Sequence, residues 1–189
     1  MAYHHKQQEW GDVENKFIYG DSFKLLEKID PGSFDVVIAD PLYTFKPEQI
    51  EWLHKKFLYV CSGVIIVFSP WKNPWIFPSD QKLYWVKPIS TKNTSKNYSN
   101  FVEEIFIYGR NVWNSKLHWS NYVNVLVDRV DDISEHPWRK PPSLIERLIK
   151  IHSSPGDRIL DPFAGSGVVH DACVKLERHS LSIEIVDRH

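Results

Sequence analysis

A chain of 189 residues can form one domain with its own hydrophobic core. Its 23 basic and 24 acidic residues give a net charge of −1, so contact with a polyanion must come from a local patch rather than from the whole surface. Two cysteines exclude a disulfide framework and a cysteine metal site, and no apolar run is long enough for a membrane span. These features predict a cytoplasmic protein that requires no metal.

The first half of the chain alternates apolar runs with amphipathic segments. Residues 17–19 predict a short strand, and the spacing of apolar residues in 22–29 predicts a helix. Residues 34–39 form a nearly continuous apolar run rich in β-branched side chains, which is typical of a strand buried in a parallel sheet. An amphipathic helix that starts with proline follows at 47–58, and a second buried strand follows at 63–68.

The second half continues this alternation around a polar, lysine-bearing loop at 87–100. The remaining predicted elements are strands at 83–86, 101–108 and 181–185, helices at 141–151 and 168–176, and a strand that leads into a glycine-rich turn at 161–167. No element is predicted for residues 111–135. Because strands and helices alternate without a boundary, we expect a single α/β domain over 1–189 with a mostly parallel central sheet.

The buried strand at 34–39 ends abruptly in Asp40-Pro41-Leu42-Tyr43. The simplest interpretation is a strand followed by an Asp-Pro turn. The functional interpretation is that one strand end presents a carboxylate, a rigid proline and an aromatic ring together.

A second candidate site is the segment ILDPFAGSG at 159–167. A turn between a strand and a helix that is rich in small residues directs backbone N–H groups toward a ligand. The next predicted strand ends near Glu184, where an acidic residue binds ribose hydroxyls in nucleotide-binding α/β folds. An ordinary strand-to-helix turn is the alternative, and the dinucleotide pattern GxGxxG is absent.

Five segments, which together cover nearly the whole chain, carry a resemblance to one family; two of them are the run-up to the catalytic motif at 19–43 and the pair LYWVKP (83–88) and NFVEEIFIYGR (100–110). DPLY (40–43) resembles the [DNS]PP[YFW] signature of amino-group DNA methyltransferases, with Leu42 in place of the second proline; DPFAGSG (161–167) resembles their S-adenosylmethionine (AdoMet) loop; and HPWRKPPSLIERLI (136–149) resembles their HP-x-x-KP segment. The catalytic motif precedes the cofactor loop, so the chain resembles the circularly permuted β class of N6-adenine/N4-cytosine methylases. The resemblance implies a Rossmann-like AdoMet-dependent methyltransferase fold with helices on both faces of the sheet.

The resemblance also implies roles for particular residues. Asp40 and the carbonyl of Pro41 would accept the hydrogens of the target amino group, and Tyr43 would stack on the base. The residues implied in binding AdoMet are Asp21, Ser22, Asp40, Lys140, Asp161, Phe163, Ala164, Gly165, Ser166, Gly167 and Glu184. From the sequence alone, Asp21 could equally be an ordinary loop aspartate, and Lys140 an exposed lysine before a helix.

Contacts with DNA are expected from Lys87, Lys92, Lys96 and Arg139, and residues at about 111–135 form a short insertion for target recognition. Trp113, Trp119 and Trp138 are assigned to the core rather than to an interface. Members of the permuted class often pair, so a homodimer is expected.

The implied function is site-specific transfer of the AdoMet methyl group to N6 of adenine in DNA, with S-adenosylhomocysteine as product. The target base would be turned out of the duplex, and the enzyme would belong to a restriction-modification system or a similar setting. Asp40 favours adenine, because the serine form of the motif is more usual for cytosine N4. The alternatives are N4-cytosine methylation, RNA methylation by the same fold, and an inactive protein that binds AdoMet or nucleic acid.

Overall fold

The computed structural model describes residues 14–69, 73–87, 101–109, 116–128 and 139–185. Within those ranges the strands are β1 (Lys16–Tyr19), β2 (Phe34–Ala39), β3 (Cys61–Ser69), β4 (Gln81–Val86), β5 (Val102–Tyr108), β6 (Val125–Val127), β7 (Arg158–Asp161) and β8 (His179–Glu184). The α-helices are α1 (Ser22–Glu27), α2 (Pro47–Val60), α3 (Pro142–His152) and α4 (Val168–Lys175), and a short 3₁₀ helix spans Trp119–Tyr122.

Local chemistry explains where the first helices begin. Asp21 caps α1, because its carboxylate accepts a hydrogen bond of 2.9 Å from the N–H of Phe23. Helix α2 begins at Pro47, whose fixed φ suits the first helical position, and the Gln49 side chain accepts from the N–H of Lys46 at 2.9 Å. Each helix that follows a strand therefore starts at a defined residue.

The eight strands form one sheet in the order β1-β8-β7-β2-β3-β5-β4-β6. The pairs from β1 through β3 are parallel, β5 is antiparallel to both β3 and β4, and β6 is parallel to β4. This arrangement confirms the prediction of a mostly parallel central sheet.

The functional feature of this topology is the pairing of β2 with β7. Val36 lies opposite Ile159 and Val37 opposite Leu160, so the two strands run side by side in the same direction. From β2 the chain continues through α2 to β3 on one side, whereas from β7 it continues through α4 to β8 on the other. Such a reversal opens a crevice at the carboxyl ends of the two strands, where α/β sheets bind ligands.

Helices cover both faces of the sheet, as the family resemblance implied. On one face α1 and α2 bury Leu26, Leu53 and Phe57 against β-strand residues such as Val37 and Leu160. On the other face α3 and α4 pack against the alternate side chains of the same strands; that cluster includes Val36, Ile38, Ile66, Ile105, Leu144, Leu148, Val169 and Ala172. The alternation of Val36 and Val37 between the two clusters is the period of two that a strand buried on both faces requires.

The predicted elements are confirmed to within a few residues at their ends, and the exception is the segment at 111–135. Part of it is described, and it contains the 3₁₀ helix and β6, which pairs Val125 with Tyr84. Strand β6 was not predicted because three residues are too few to show a strand period. The guanidinium of Arg147 in α3 holds the 3₁₀ helix by donating to the carbonyl of Ser120 at 2.9 Å. None of the described helices is long and apolar enough to cross a bilayer.

Candidate active site

The turn after β2 is held in place from outside the motif. Asp40 and Pro41 follow directly at the end of the strand, and Tyr43 is partly buried. The side-chain amide of Asn73 donates to the carbonyl of Tyr43 at 2.6 Å and to that of Phe45 at 3.2 Å. Leu42, which stands where the family has a second proline, is 50% exposed at the same opening. These contacts fix the backbone of the motif without using the proline that is missing.

The glycine-rich turn after β7 is tied to the end of β8. The N–H of Gly165 donates to Oε2 of Glu184 at 2.6 Å, and the N–H of Ile185 donates to Oε1 of the same carboxylate at 3.1 Å. The N–H of Ala164 donates to the carbonyl of Ile183 at 2.9 Å. Glu184 therefore orders the turn while its carboxylate lines the crevice.

Glycine is required at Gly167 for two reasons. Its φ of +81° lies in the left-handed region, and a Cβ there would approach the ring of Phe17 to 3.3 Å. Gly167 is the N-cap residue of α4 and does not line the crevice, whereas Gly165 and Ser166 do. The turn thus presents its first residues to a ligand and uses its last glycine to enter the helix.

The turn between β1 and α1 joins the same site. The hydroxyl of Ser22 donates to the carbonyl of Pro162 at 2.5 Å, which connects α1 to the glycine-rich turn. Asp21 lines the crevice as well as capping α1. Ser22 is therefore an anchor for the turn, and Asp21 is the acidic group that this segment presents.

The carboxyl ends of β2, β7 and β8 surround a cleft of about 540 Å³. Its lining includes Asp21, Ser22, Asp40, Pro41, Tyr43, Arg139, Lys140, Asp161, Phe163, Ala164, Gly165, Ser166 and Glu184. Every residue predicted for catalysis or cofactor binding lines this cleft except Gly167. A volume of this size is typical of a site for a ligand as large as a nucleoside derivative.

Asp161 lies on the floor of the cleft with only 3% of its surface exposed. It accepts a hydrogen bond from the N–H of Phe163 at 3.2 Å. Burial, helped by the neighbouring carboxylates of Asp40 and Glu184 and opposed by the hydrogen bond from Phe163, raises the pKa of Asp161 to about 8. An acid in such surroundings favours a cationic ligand, which would stabilise its ionised form.

Lys140 is buried and lies between two carboxylates. Its Nζ is 2.7 Å from Oδ2 of Asp40 and 2.9 Å from Oε1 of Glu103. The second oxygen of Glu103 is 3.0 Å from Nζ of Lys87. The alternative of an exposed lysine before a helix is therefore wrong, because this ammonium is enclosed and paired on two sides.

The pKa shifts in this cluster follow from burial opposed by pairing. Burial raises the pKa of Asp40, and the ammonium of Lys140 opposes that effect. Burial alone would raise the pKa of Glu103, but Lys140 and Lys87 together hold it below its ordinary value. Burial would lower the pKa of Lys140, yet Asp40 and Glu103 raise it. Glu103 and Lys140 are therefore charged at neutral pH.

The structure describes two of the four residues expected to contact DNA, and it places them in different surroundings. Lys87 does not lie in an open loop: it follows β4, and its ammonium pairs with buried Glu103 and lies 4.7 Å from the ring centre of Trp85. Arg139 lines the cleft with its Nη2 3.5 Å from Asp171, and its buried Nε has no hydrogen-bond partner in the described part of the chain. Lys92 and Lys96 lie outside the described residues.

The assignment of Trp119 to the core is wrong. Its side chain is 69% exposed, because it opens a 3₁₀ helix on a short segment at the edge of the sheet. Trp113 and Trp138 lie outside the described residues.

Glu103 is the site residue that sequence reasoning missed. It shares a strand face with Ile105 and Ile107, and both of those residues are in the core beneath α3 and α4. An acid on the apolar face of a predicted strand is a signal for a buried ion pair, but the sequence does not name its partner. Lys140 lies 37 positions further along the chain.

Solved methyltransferase structures share this fold. The M1.HpyAVI–SAM complex superposes with a TM-score of 0.72 at 24% identity and covers 91% of this chain and 94% of that chain. The cytosine-N4-specific PvuII DNA methyltransferase superposes with a TM-score of 0.73 at 17% identity and covers 90% and 82%, respectively. The fold is therefore that of the Rossmann-like, AdoMet-dependent methyltransferases.

The family is defined by sequence. A family model described as DNA methylase, of the N6/N4 type, matches residues 30–189. The type II methyltransferase M2.DpnII of Streptococcus pneumoniae is 25% identical over 90% of this chain and 85% of its own length. The DNA adenine methyltransferase YhdJ of Escherichia coli (strain K12) is 23% identical over 93% and 80%. The chain belongs to the N6/N4 DNA methylase family and is an AdoMet-dependent DNA methyltransferase.

The chemistry of the cleft fits AdoMet. This molecule carries a sulfonium, an ammonium and several hydroxyl and amino donors, and its one anionic group is a carboxylate. The cleft offers the acidic side chains of Asp21, Asp161 and Glu184 as acceptors, and Arg139 as a cation. Phe163 supplies an apolar wall and contacts the ring of Phe45, with 5.3 Å between ring centres.

Proposed function

We propose that this enzyme methylates the exocyclic N6 amino group of adenine at a specific site in DNA, with the target base turned out of the duplex. The observation that carries the proposal is that Asp40, the aspartate form of the family's catalytic motif, opens into the same cleft as the glycine-rich turn. When bound, AdoMet supplies an electrophilic methyl group. The remaining chemistry belongs to residues of this chain.

The amino nitrogen of adenine is a weak nucleophile because its lone pair is delocalised into the ring. In the proposed mechanism the Asp40 carboxylate and the Pro41 carbonyl accept its two hydrogens, which draws the nitrogen toward tetrahedral geometry and localises the lone pair. Proline fixes φ and so holds its carbonyl in one orientation. Tyr43 offers a stacking face for a base outside the duplex. Positioning and electrostatics then account for direct transfer, in which the nitrogen would take the methyl group as S-adenosylhomocysteine leaves, and the surplus proton of the nitrogen would pass to the Asp40 carboxylate and on to solvent.

We assign the cofactor contacts by complementarity. Asp161 and the glycine-rich turn hold the methionine part, Glu184 the ribose, and Asp21 the edge of the adenine. The predicted role of Lys140 toward the cofactor carboxylate passes to Arg139, because Lys140 already pairs with Asp40 and Glu103, whereas the Nε of Arg139 has no partner in the described part of the chain. Phosphate contact by Lys92 and Lys96 stays a prediction, and the pairing of Lys87 with Glu103 makes that residue less suited to it.

A homodimer also stays a proposal. It is supported by the short recognition segment and by the net charge of −1, which leaves one copy with little general attraction for DNA. Sedimentation of the purified chain, alone and with DNA, tests it, and a single monomeric species under both conditions would contradict it.

The proposed reaction is tested by incubating the enzyme with methyl-labelled AdoMet and DNA that carries no adenine or cytosine methylation. The DNA is then digested to nucleosides and separated. We expect the label in N6-methyladenine, and none in a parallel incubation with RNA. Label in N4-methylcytosine would keep the family and correct the base, whereas label in RNA alone would contradict the proposed substrate. Binding of AdoMet without transfer to any nucleic acid would favour the inactive alternative.

A further inference from the structure

We propose that Glu103 is a positioning residue for methyl transfer, which acts through Lys140 to hold the Asp40 carboxylate in place at the mouth of the cleft. The inference deepens the proposed function and rests on the role given there to Asp40. It assigns a catalytic purpose to a buried acid that lies outside the catalytic motif, the cofactor loop and the HP-x-x-KP-like segment.

The geometry is a chain of four alternating charges. It runs from Asp40 to Lys140 (2.7 Å), from Lys140 to Glu103 (2.9 Å) and from Glu103 to Lys87 (3.0 Å). Glu103 is 5% exposed and the Lys140 side chain 7%, whereas the Asp40 side chain is 37% exposed. Buried charges are tolerated only when they are paired, and Lys140 and Glu103 hold each other as an ion pair, although Oε1 of Glu103 accepts no well-directed hydrogen bond in the described part of the chain.

Four separate segments are joined by these contacts. Asp40 follows β2, Glu103 lies in β5, Lys87 follows β4, and Lys140 precedes α3. The aromatic rings of Phe68 and Trp85 flank the Lys140 ammonium, with 5.0 and 5.8 Å from Nζ to the ring centres. These contacts hold the Lys140 ammonium in one position, and the ammonium in turn holds the Asp40 carboxylate in place.

A second carboxylate on Lys140 has a chemical consequence. An ammonium paired with Asp40 alone would weaken that carboxylate as an acceptor, because no second anion would offset the positive field of the ammonium. Because Glu103 shares the ammonium, Asp40 keeps acceptor strength for the target amino group, and the contact with Lys140 falls on the Oδ2 oxygen. The four charges sum to zero, so the cluster holds Asp40 without a surplus of either sign.

The test compares Glu103→Gln with Glu104→Gln. Glu104 is the next residue of β5, and it is 39% exposed and pairs with Lys82 at the surface at 3.3 Å, so it offers the same substitution in the same strand away from Asp40. We expect Glu103→Gln to lower kcat roughly 10- to 100-fold through misplacement of the acceptor, with AdoMet affinity nearly unchanged. We expect no effect on either quantity from Glu104→Gln.

The pH profile separates positioning from a merely structural role. The charged or titratable groups that act on Asp40 are Lys140, Glu103 and Lys87, with Tyr43 and Asp161 close by. The negative charge of Glu103 raises the pKa of Asp40, so Glu103→Gln should move the acid limb of the plot of kcat against pH to lower pH. Lys87→Gln removes a positive charge, leaves Glu103 in place and should move the limb to higher pH; it also serves as the test if Glu103→Gln does not fold.

The outcomes are distinct. Opposite shifts in the two variants, with none in Glu104→Gln, support the proposal. If the wild-type enzyme transfers methyl groups normally, either of two results for Glu103→Gln would overturn this inference alone. One is an acid limb at the same pH as in the wild type, and the other is an unchanged kcat. Absence of transfer by the wild-type enzyme would overturn the proposed function and the inference with it.

Discussion

Asp40→Ala is expected to lower methyl transfer by at least about 100- to 1,000-fold, which is the usual cost of removing one preorganised group that acts on the reacting atoms. AdoMet binding should be largely retained, because Asp161, Glu184 and the glycine-rich turn are unchanged. Lys140 keeps Glu103 as a partner in this variant, so its buried ammonium is not left alone. Single-turnover rates and AdoMet titrations of the same preparation measure both quantities.

Asp35→Asn is the matched control for that experiment. Asp35 lies in the same strand, but its carboxylate accepts a hydrogen bond of 2.8 Å from the N–H of Arg158, at the opposite end of the β2–β7 pair from the cleft. This variant should transfer methyl groups at the wild-type rate. Full activity in Asp40→Ala would refute the proposed mechanism, since Asp40 is the one acidic residue in the turn between β2 and α2.

Asp161→Asn is expected to stabilise the protein without ligand and to weaken AdoMet binding. Burial raises the pKa of Asp161 from 3.8 to about 8, so between those pH values the folded state holds a proton that the unfolded state has lost. Folding stability therefore decreases as pH rises through that range. Asparagine carries no such charge, so the stability gained by the variant should grow from pH 4 to pH 8 and then level off.

The carboxyl group of Asp161 determines the size of both the stabilisation and the loss of AdoMet affinity in Asp161→Asn. A stabilisation of about 1 to 3 kcal/mol is expected from replacing a buried, poorly solvated acid, and each kcal/mol corresponds to roughly 2–4 °C in Tm for a chain of this size. Loss of a charged acceptor should weaken AdoMet binding roughly 10- to 100-fold, because a hydrogen bond to a charged group contributes about 1.5–3 kcal/mol. Thermal melts across pH measure the change in stability, and binding isotherms measure the change in AdoMet affinity.

Asp157→Asn provides a control with the same substitution outside the cleft. Its carboxylate accepts from the N–H of Ser154 at 2.7 Å in a surface turn before β7. This variant should not be more stable than the wild type and should bind AdoMet as tightly, because Asp157 lies in a surface turn and does not line the cleft. If Asp161→Asn behaved in the same way, or bound AdoMet as tightly as the wild type, the assignment of Asp161 to the cofactor would be wrong.

The sheet and the two strand ends were predictable because their signals are local. Residues 34–39 are apolar on both faces apart from Asp35, and this pattern is typical of a strand in a covered parallel sheet. Asp40 and Asp161 each end such a strand, and parallel strands bring their carboxyl ends to the same edge. That β2 and β7 are direct neighbours was not predicted from the sequence and is shown by their registered pairs.

The parts that were not predictable depend on long-range pairing or on very short elements. The sequence shows that Lys140 is a lysine before a helix, but not that Asp40 and Glu103 enclose it. Trp119 is apolar and was assigned to the core, yet the edge segment that carries it leaves most of its ring exposed. Strand β6 has three residues, which are too few to show a strand period, so its pairing with β4 could not be predicted from its own pattern.

The most direct test of the central claim is a crystal structure of the enzyme with S-adenosylhomocysteine. The account predicts the ligand in the cleft between β2 and β7, with its ribose at Glu184, its sulfur on the side of Asp40 and its carboxylate on the side of Arg139. A ligand bound elsewhere, or in this cleft with its sulfur turned away from Asp40, would contradict the claim that one crevice joins cofactor and catalytic motif.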